Sequence, residues 1–79
     1  YLQQQDMLRA LSATERIIAL LPAAADEYGD RARIYLALEC FRAALADFQR
    51  YLELRPGAGD APAVRQQVAE LQQRVARLN

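Results

Sequence analysis

Two stretches of this chain end the same way. Ile17-Ile18-Ala19-Leu20-Leu21-Pro22 and Tyr51-Leu52-Glu53-Leu54-Arg55-Pro56 each run apolar into a proline, and the two prolines stand 34 residues apart. A proline pushes the residue before it out of the helical region, so each closes a helix. The same offset of 34 pairs Tyr1 with Tyr35, Leu2 with Leu36, Met7 with Phe41, Ala10 with Ala44 and Leu11 with Leu45. It also pairs Arg16 with Arg50, Ile18 with Leu52 and Leu20 with Leu54. Like-for-like matches at core-type positions, repeated at this period, mark a helix-turn-helix solenoid. The expected fold is all-α, with antiparallel helices.

The helices follow from spacing. Tyr1 to about Gln4 reads as the tail of one helix. Asp6 to Leu20 reads as the next, with Met7, Leu8, Ala10, Leu11, Ile17 and Ile18 at helical intervals. Asp26, after Ala23-Ala24-Ala25, is the expected N-cap of a helix reaching about Leu38. A turn around Glu39 and Cys40 leads into Phe41 to Leu54, with Phe41, Leu45, Phe48 and Leu52 on one face. Pro56-Gly57-Ala58-Gly59 is the plainest loop. Asp60 is then expected to cap a last helix, with Pro62 tolerated in its first turn, ending near Leu78. Val64, Val68, Leu71, Val75 and Leu78 give it one apolar stripe, and Gln and Arg fill the other side. One apolar and one wet face suit a cap closing a solenoid. A coiled-coil strand has too few heptads here, and Glu70 among scattered Arg residues argues against a nucleic-acid-binding helix.

Length and composition limit what such a stack can do. Seventy-nine residues make one small domain, so every helix must contribute an apolar face to the core. Ten basic and ten acidic residues cancel, which leaves no broad field for nucleic acid or anionic lipid. All ten basic residues are Arg, as in a GC-rich, bacterial genome. The single cysteine, Cys40, permits no internal disulfide, and the absence of histidine leaves no metal set and no base for a nucleophile. No cofactor is expected, and no apolar run is of membrane-spanning length. A reducing cytoplasm is the expected location. The chain begins at Tyr1, not Met, so the true N-terminus, and any targeting signal with it, is expected to lie before Tyr1.

These residues resemble the tetratricopeptide repeat family. That family places a small residue twelve before the closing proline, matched by Ala10 and Ala44, and an aromatic eight before it, matched by Phe48 but not by Thr14. Ala32, Tyr35 and Tyr28 match the small and aromatic positions of its leading helix. The resemblance divides the single domain 1–79 into a truncated first repeat over 1–22, a complete second over 26–56 and a capping helix over 60–79. The cap enters at an offset of 36, which pairs Tyr28 with Val64, Ala32 with Val68 and Tyr35 with Leu71. An offset of 34 would place Arg65 and Gln66 in the core. A narrower resemblance is to the C-terminal region of bacterial transglutaminase-like/tetratricopeptide proteins of the SirB type. It is carried by Asp30-Arg31-Ala32, by Ala43-Ala44-Leu45-Ala46-Asp47-Phe48-Gln49-Arg50-Tyr51-Leu52 and by Val64-Arg65. Gly29 and Ala32 depart from that pattern. In such proteins the transglutaminase-like domain lies N-terminal to the repeats, and its chemistry needs a histidine that this chain lacks.

The resemblance implies a protein-protein interaction module that is not an enzyme, forming the C-terminal part of a larger bacterial protein. A buttress for an upstream transglutaminase-like domain is the alternative. A peptide groove would be lined by Arg33, Leu36 and Ala37 on one leading helix and by Arg65, Ala69 and Gln72 on the cap. Arg-carboxylate and amide contacts would hold an extended peptide there. Truncation would leave a face near Tyr1, Leu2 and Met7 through which the fragment self-associates. Cys40 reads as a partly buried structural thiol. Asp6, Asp26, Glu27, Asp30 and Asp60 read as charges that complement helix starts rather than as catalytic pairs. Tyr28 and Tyr35 read as core, and Tyr51, where the family usually has Ala, as packing against an added element.

Overall fold

The computed structural model describes residues 4–78. It contains four helices, α1 (Gln4–Leu20), α2 (Ala25–Ala37), α3 (Phe41–Leu54) and α4 (Ala61–Arg77), and no strand among the described residues. Each helix packs on its sequence neighbour, which makes α2 and α3 the inner pair. Helix α3 has the expected bounds. Gln4 and Gln5 already belong to α1, so the chain does not break between Gln4 and Asp6. The expected helix tail otherwise lies outside the described residues, as do Tyr1 and Leu2.

Two caps differ from expectation. Helix α2 begins at Ala25 with Ala24 as N-cap, and neither Ala24 nor Asp60, the N-cap of α4, makes a side-chain capping bond. The reason is competition. Asp26 accepts from Arg55 Nη1 at 2.9 Å and Asp60 accepts from the Tyr51 hydroxyl at 2.6 Å, so both carboxylates join helices instead of capping them. Pro62 sits in the first turn of α4, where a missing N–H costs nothing.

The turn after α2 is a Schellman motif. Cys40 N–H donates to Tyr35 O at 2.8 Å and Glu39 N–H to Leu36 O at 3.0 Å. Glu39 takes the left-handed position at φ 61°, where glycine is the usual residue. Cys40 is the N-cap of α3 and is exposed, not partly buried. A tight turn between two antiparallel helices lies at the end of the stack, beyond the reach of the core.

The core is made of small and aromatic residues. Ala32 and Ala44 are fully enclosed, and Ala25, Phe48, Tyr51, Val64 and Leu71 complete it. Alanine at both Ala32 and Ala44 lets α2 and α3 approach closely. Tyr28 and Tyr35 are half-buried and pack against this cluster. On α4, Val64, Val68, Leu71 and Val75 turn inward as expected, but Leu78, just past the helix end, is exposed. On α1, Thr14 is buried, and its hydroxyl donates to Ala10 O at 2.8 Å, so the departure from an aromatic is satisfied within its own helix. Ala10 is exposed, although Ala44, one repeat later, is enclosed. The difference is physical: α2 covers Ala44, and no described helix covers Ala10.

Candidate functional site

The inner helices are joined by an ion pair that neither composition nor periodicity revealed. Arg31 on α2 forks onto Asp47 on α3, with Nε 2.7 Å from Oδ2 and Nη2 2.8 Å from Oδ1. Asp47 is buried and Arg31 half-buried, and the guanidinium also lies 5.6 Å from the Tyr28 ring centre and 5.9 Å from that of Tyr35. The bidentate bond to Asp47 raises the Arg31 pKa above its ordinary value, so the guanidinium stays charged. The available signal was an Asp three residues after Ala44 on the core-facing side of a helix, a position that requires a cationic partner.

A second clasp forms around Asp60. One carboxylate oxygen accepts from Tyr51, and the other lies 3.8 Å from Arg33 Nη2. Donating to Asp60 holds the Tyr51 phenol above its usual pKa, because losing the proton would set two negative oxygens together. Tyr51, on α3, packs against α2 where Gly29 leaves room: a Cβ built on Gly29 would be 3.4 Å from the ring. The added element that Tyr51 meets is thus the start of α4.

Between α2 and α4, over α3, lie two hollows of about 410 and 250 Å³. They share Leu36 and Gln67 and so form one groove. Its larger part has Phe41 and Leu71 for a floor, and Arg74 stands 4.6 Å over the Phe41 ring centre. Its smaller part is walled by Arg33, Asp60 and Ala63. The groove can offer guanidinium, carboxylate and amide groups around an apolar floor.

The six expected groove residues divide accordingly. Arg33 and Leu36 line the groove, and Arg33 is also paired with Asp30 at 3.2 Å. Ala37 is exposed at the end of α2. Arg65, Ala69 and Gln72 are exposed on α4, and Arg65 Nη2 donates to Pro56 O at 3.0 Å. The α4 wall is formed instead by Ala63, Gln67, Glu70 and Arg74. Translating α2 by one repeat carries its forward flank to the forward flank of α4. A groove between the two helices needs the backward flank of α4, which that translation does not supply.

Among the described residues no three or more metal-binding side chains gather, and no helix is long and apolar enough to cross a membrane. A family model described as tetratricopeptide repeat matches residues 1–69. No curated protein and no solved structure matches the chain.

Proposed function

The chain belongs to the tetratricopeptide repeat family, and we propose that it binds a protein partner by holding an extended peptide in the groove between α2 and α4. Repeats of this family generally mediate protein-protein interaction, and the repeat itself is a non-catalytic module. The observation that carries the reading is one groove in which the half-buried Leu36 and Phe41 lie beside the buried Leu71, edged by Arg33, Gln67, Glu70 and Arg74. Apolar side chains of a peptide would meet Leu36 and Phe41 while its carboxylates and backbone amides meet the edges.

The test is selection from a displayed peptide library, followed by affinity measurement against Ala63→Arg. Ala63 is exposed, so the substitution fills the groove without entering the core. Selected peptides are expected to bind the variant at least tenfold more weakly. Unchanged affinity, or no selected peptide, contradicts the reading.

In its finer form the proposal places the module in the bacterial cytoplasm as the C-terminal part of a larger protein. The all-Arg composition supports a bacterial source and the single cysteine a reducing compartment. A buttress for a transglutaminase-like domain is the alternative, supported by the resemblance around Arg31 and Asp47. If the chain captures only such a domain and no other protein, the alternative is correct. Self-association at the N-terminal face would have to use the open side of α1, since Met7 is half-buried. Analytical ultracentrifugation that finds only monomer at high concentration excludes it.

A further inference from the structure

The two ends of the groove between α2 and α4 differ in how their charges are settled. At the end near Asp60, Arg33 bonds Asp30 at 3.2 Å and lies 3.8 Å from Asp60, whose other oxygen takes the Tyr51 hydroxyl. The cation there already faces two carboxylates. At the other end the larger hollow is lined by Arg74, Arg77 and Glu70, two cations to one acid. None of these three is in an ion pair among the described residues.

Arg74 is the informative one. Glu70 stands four residues before it on α4, the spacing at which helical ion pairs form. Arg74 does not take that partner. Its guanidinium lies 4.6 Å over the Phe41 ring centre on α3, across the floor of the hollow. A guanidinium stacked on a ring gives up one face and keeps its N–H edge for an acceptor. No described residue supplies one. The ring also holds the fork in place, which lowers the cost of ordering it when a carboxylate arrives. Arg74 and Arg77 both complement the dipole in the last turn of α4. That role alone does not lay the Arg74 side chain across onto α3.

We propose that the partner held in the groove is an acidic peptide segment. Arg74 takes an internal Asp or Glu side chain, and a neighbouring apolar side chain meets Leu36 and Phe41. This rests on the groove reading above and adds the charge of the ligand and the place of that charge along the groove, at the end away from Asp60. A basic segment fits less well. A cation that reaches Glu70 comes within one turn of Arg74 and two of Arg77. At the other end Asp30 and Asp60 already have Arg33.

The experiment uses a library of peptides displayed with both ends fused, so that every carboxylate offered is a side chain. Selection against the 79-residue chain is expected to enrich Asp or Glu beside an apolar residue. The tightest peptide, and the form with its acid replaced by the amide, are then measured at low salt against the chain, Arg74→Gln and Arg9→Gln. The amide form is expected to bind the chain about fivefold more weakly. Arg74→Gln is expected to lose the same factor for the acidic peptide and to bind the two forms alike. Arg74 is exposed, so this variant is expected to fold, and circular dichroism checks it. Arg9→Gln removes the same charge from an exposed position on α1 and should keep the preference. Selected peptides that are weakened by Ala63→Arg but are rich in Lys or Arg, or bind equally as the amide, overturn the proposal and leave the groove reading standing. So does an acid preference that persists in Arg74→Gln. Selection that yields no peptide overturns both.

Discussion

Glu39 closes α2 at φ 61°, where an L side chain crowds its own backbone. Glu39→Gly keeps both Schellman hydrogen bonds and removes that crowding. It is expected to stabilise the fold by about 0.5–1 kcal/mol in urea unfolding. Gly29 presents the opposite case. It lies inside α2 without a positive φ, and a Cβ there meets the Tyr51 ring at ordinary contact distance, 3.4 Å. Gly29→Ala is therefore also expected to stabilise, by about 0.5–1 kcal/mol, through helix propensity. Larger residues at 29 should destabilise by displacing Tyr51. Asp47 is the costliest residue to change. Asp47→Ala leaves the half-buried Arg31 guanidinium without its carboxylate and should cost about 2–3 kcal/mol. Arg31→Met combined with Asp47→Leu should recover most of that loss, because neither charge is then left unpaired. A double mutant no more stable than Asp47→Ala alone would contradict this account of the pair. Asp47 itself stood in a motif read from the sequence, but its partner was not legible. Periodicity placed Asp47 one turn after Ala44 on the core-facing side, but it could not say which cation, distant in sequence, would pair with it.

At the scale of elements, spacing and breakers placed α3 from end to end and placed α2 and α4 to within a residue or so, because Pro56, Gly57 and Gly59 interrupt helices for local reasons. Cap chemistry was less legible. Asp26 and Asp60 stand where capping acids belong, yet their carboxylates are drawn to Arg55 and Tyr51 by contacts distant in sequence. The groove was half legible. The α2 side, Arg33 and Leu36, follows from the repeat, and the α4 side does not, because a groove joins unlike flanks of successive helices. The packing order also makes a dynamic prediction. Helices α1 and α4 each rest on one neighbour, but α1 buries only Thr14 where α4 buries Ala61, Val64 and Leu71, and α3 is held from two sides, by α2 and α4. In native-state hydrogen exchange, amides in the middle of α1 should exchange fastest among the four helices and those around Ala44 and Phe48 slowest. Equal protection of α1 and α3 would mean that α1 is held by more than α2.

As a whole molecule the chain makes a modest core and carries one groove on its surface. No large side chain among the described residues is fully buried, so stability rests on Ala32, Ala44 and the aromatics around them. The groove is polar at its edges, with Leu36 and Phe41 half-buried in its floor. The absence of net charge leaves no long-range field, so the proposed peptide would be recognised by local groups such as Arg33 and Arg74. A peptide that binds the folded chain should also raise its melting temperature in proportion to the logarithm of peptide concentration above Kd. The central claim is that the groove between α2 and α4 is where a peptide partner is held. A heteronuclear NMR titration of the 79-residue chain with a library-selected peptide tests it most directly. The account predicts shift changes centred on Arg33, Leu36, Gln67 and Arg74, and little change along α1. Changes that leave those four residues unmoved and concentrate elsewhere would contradict it.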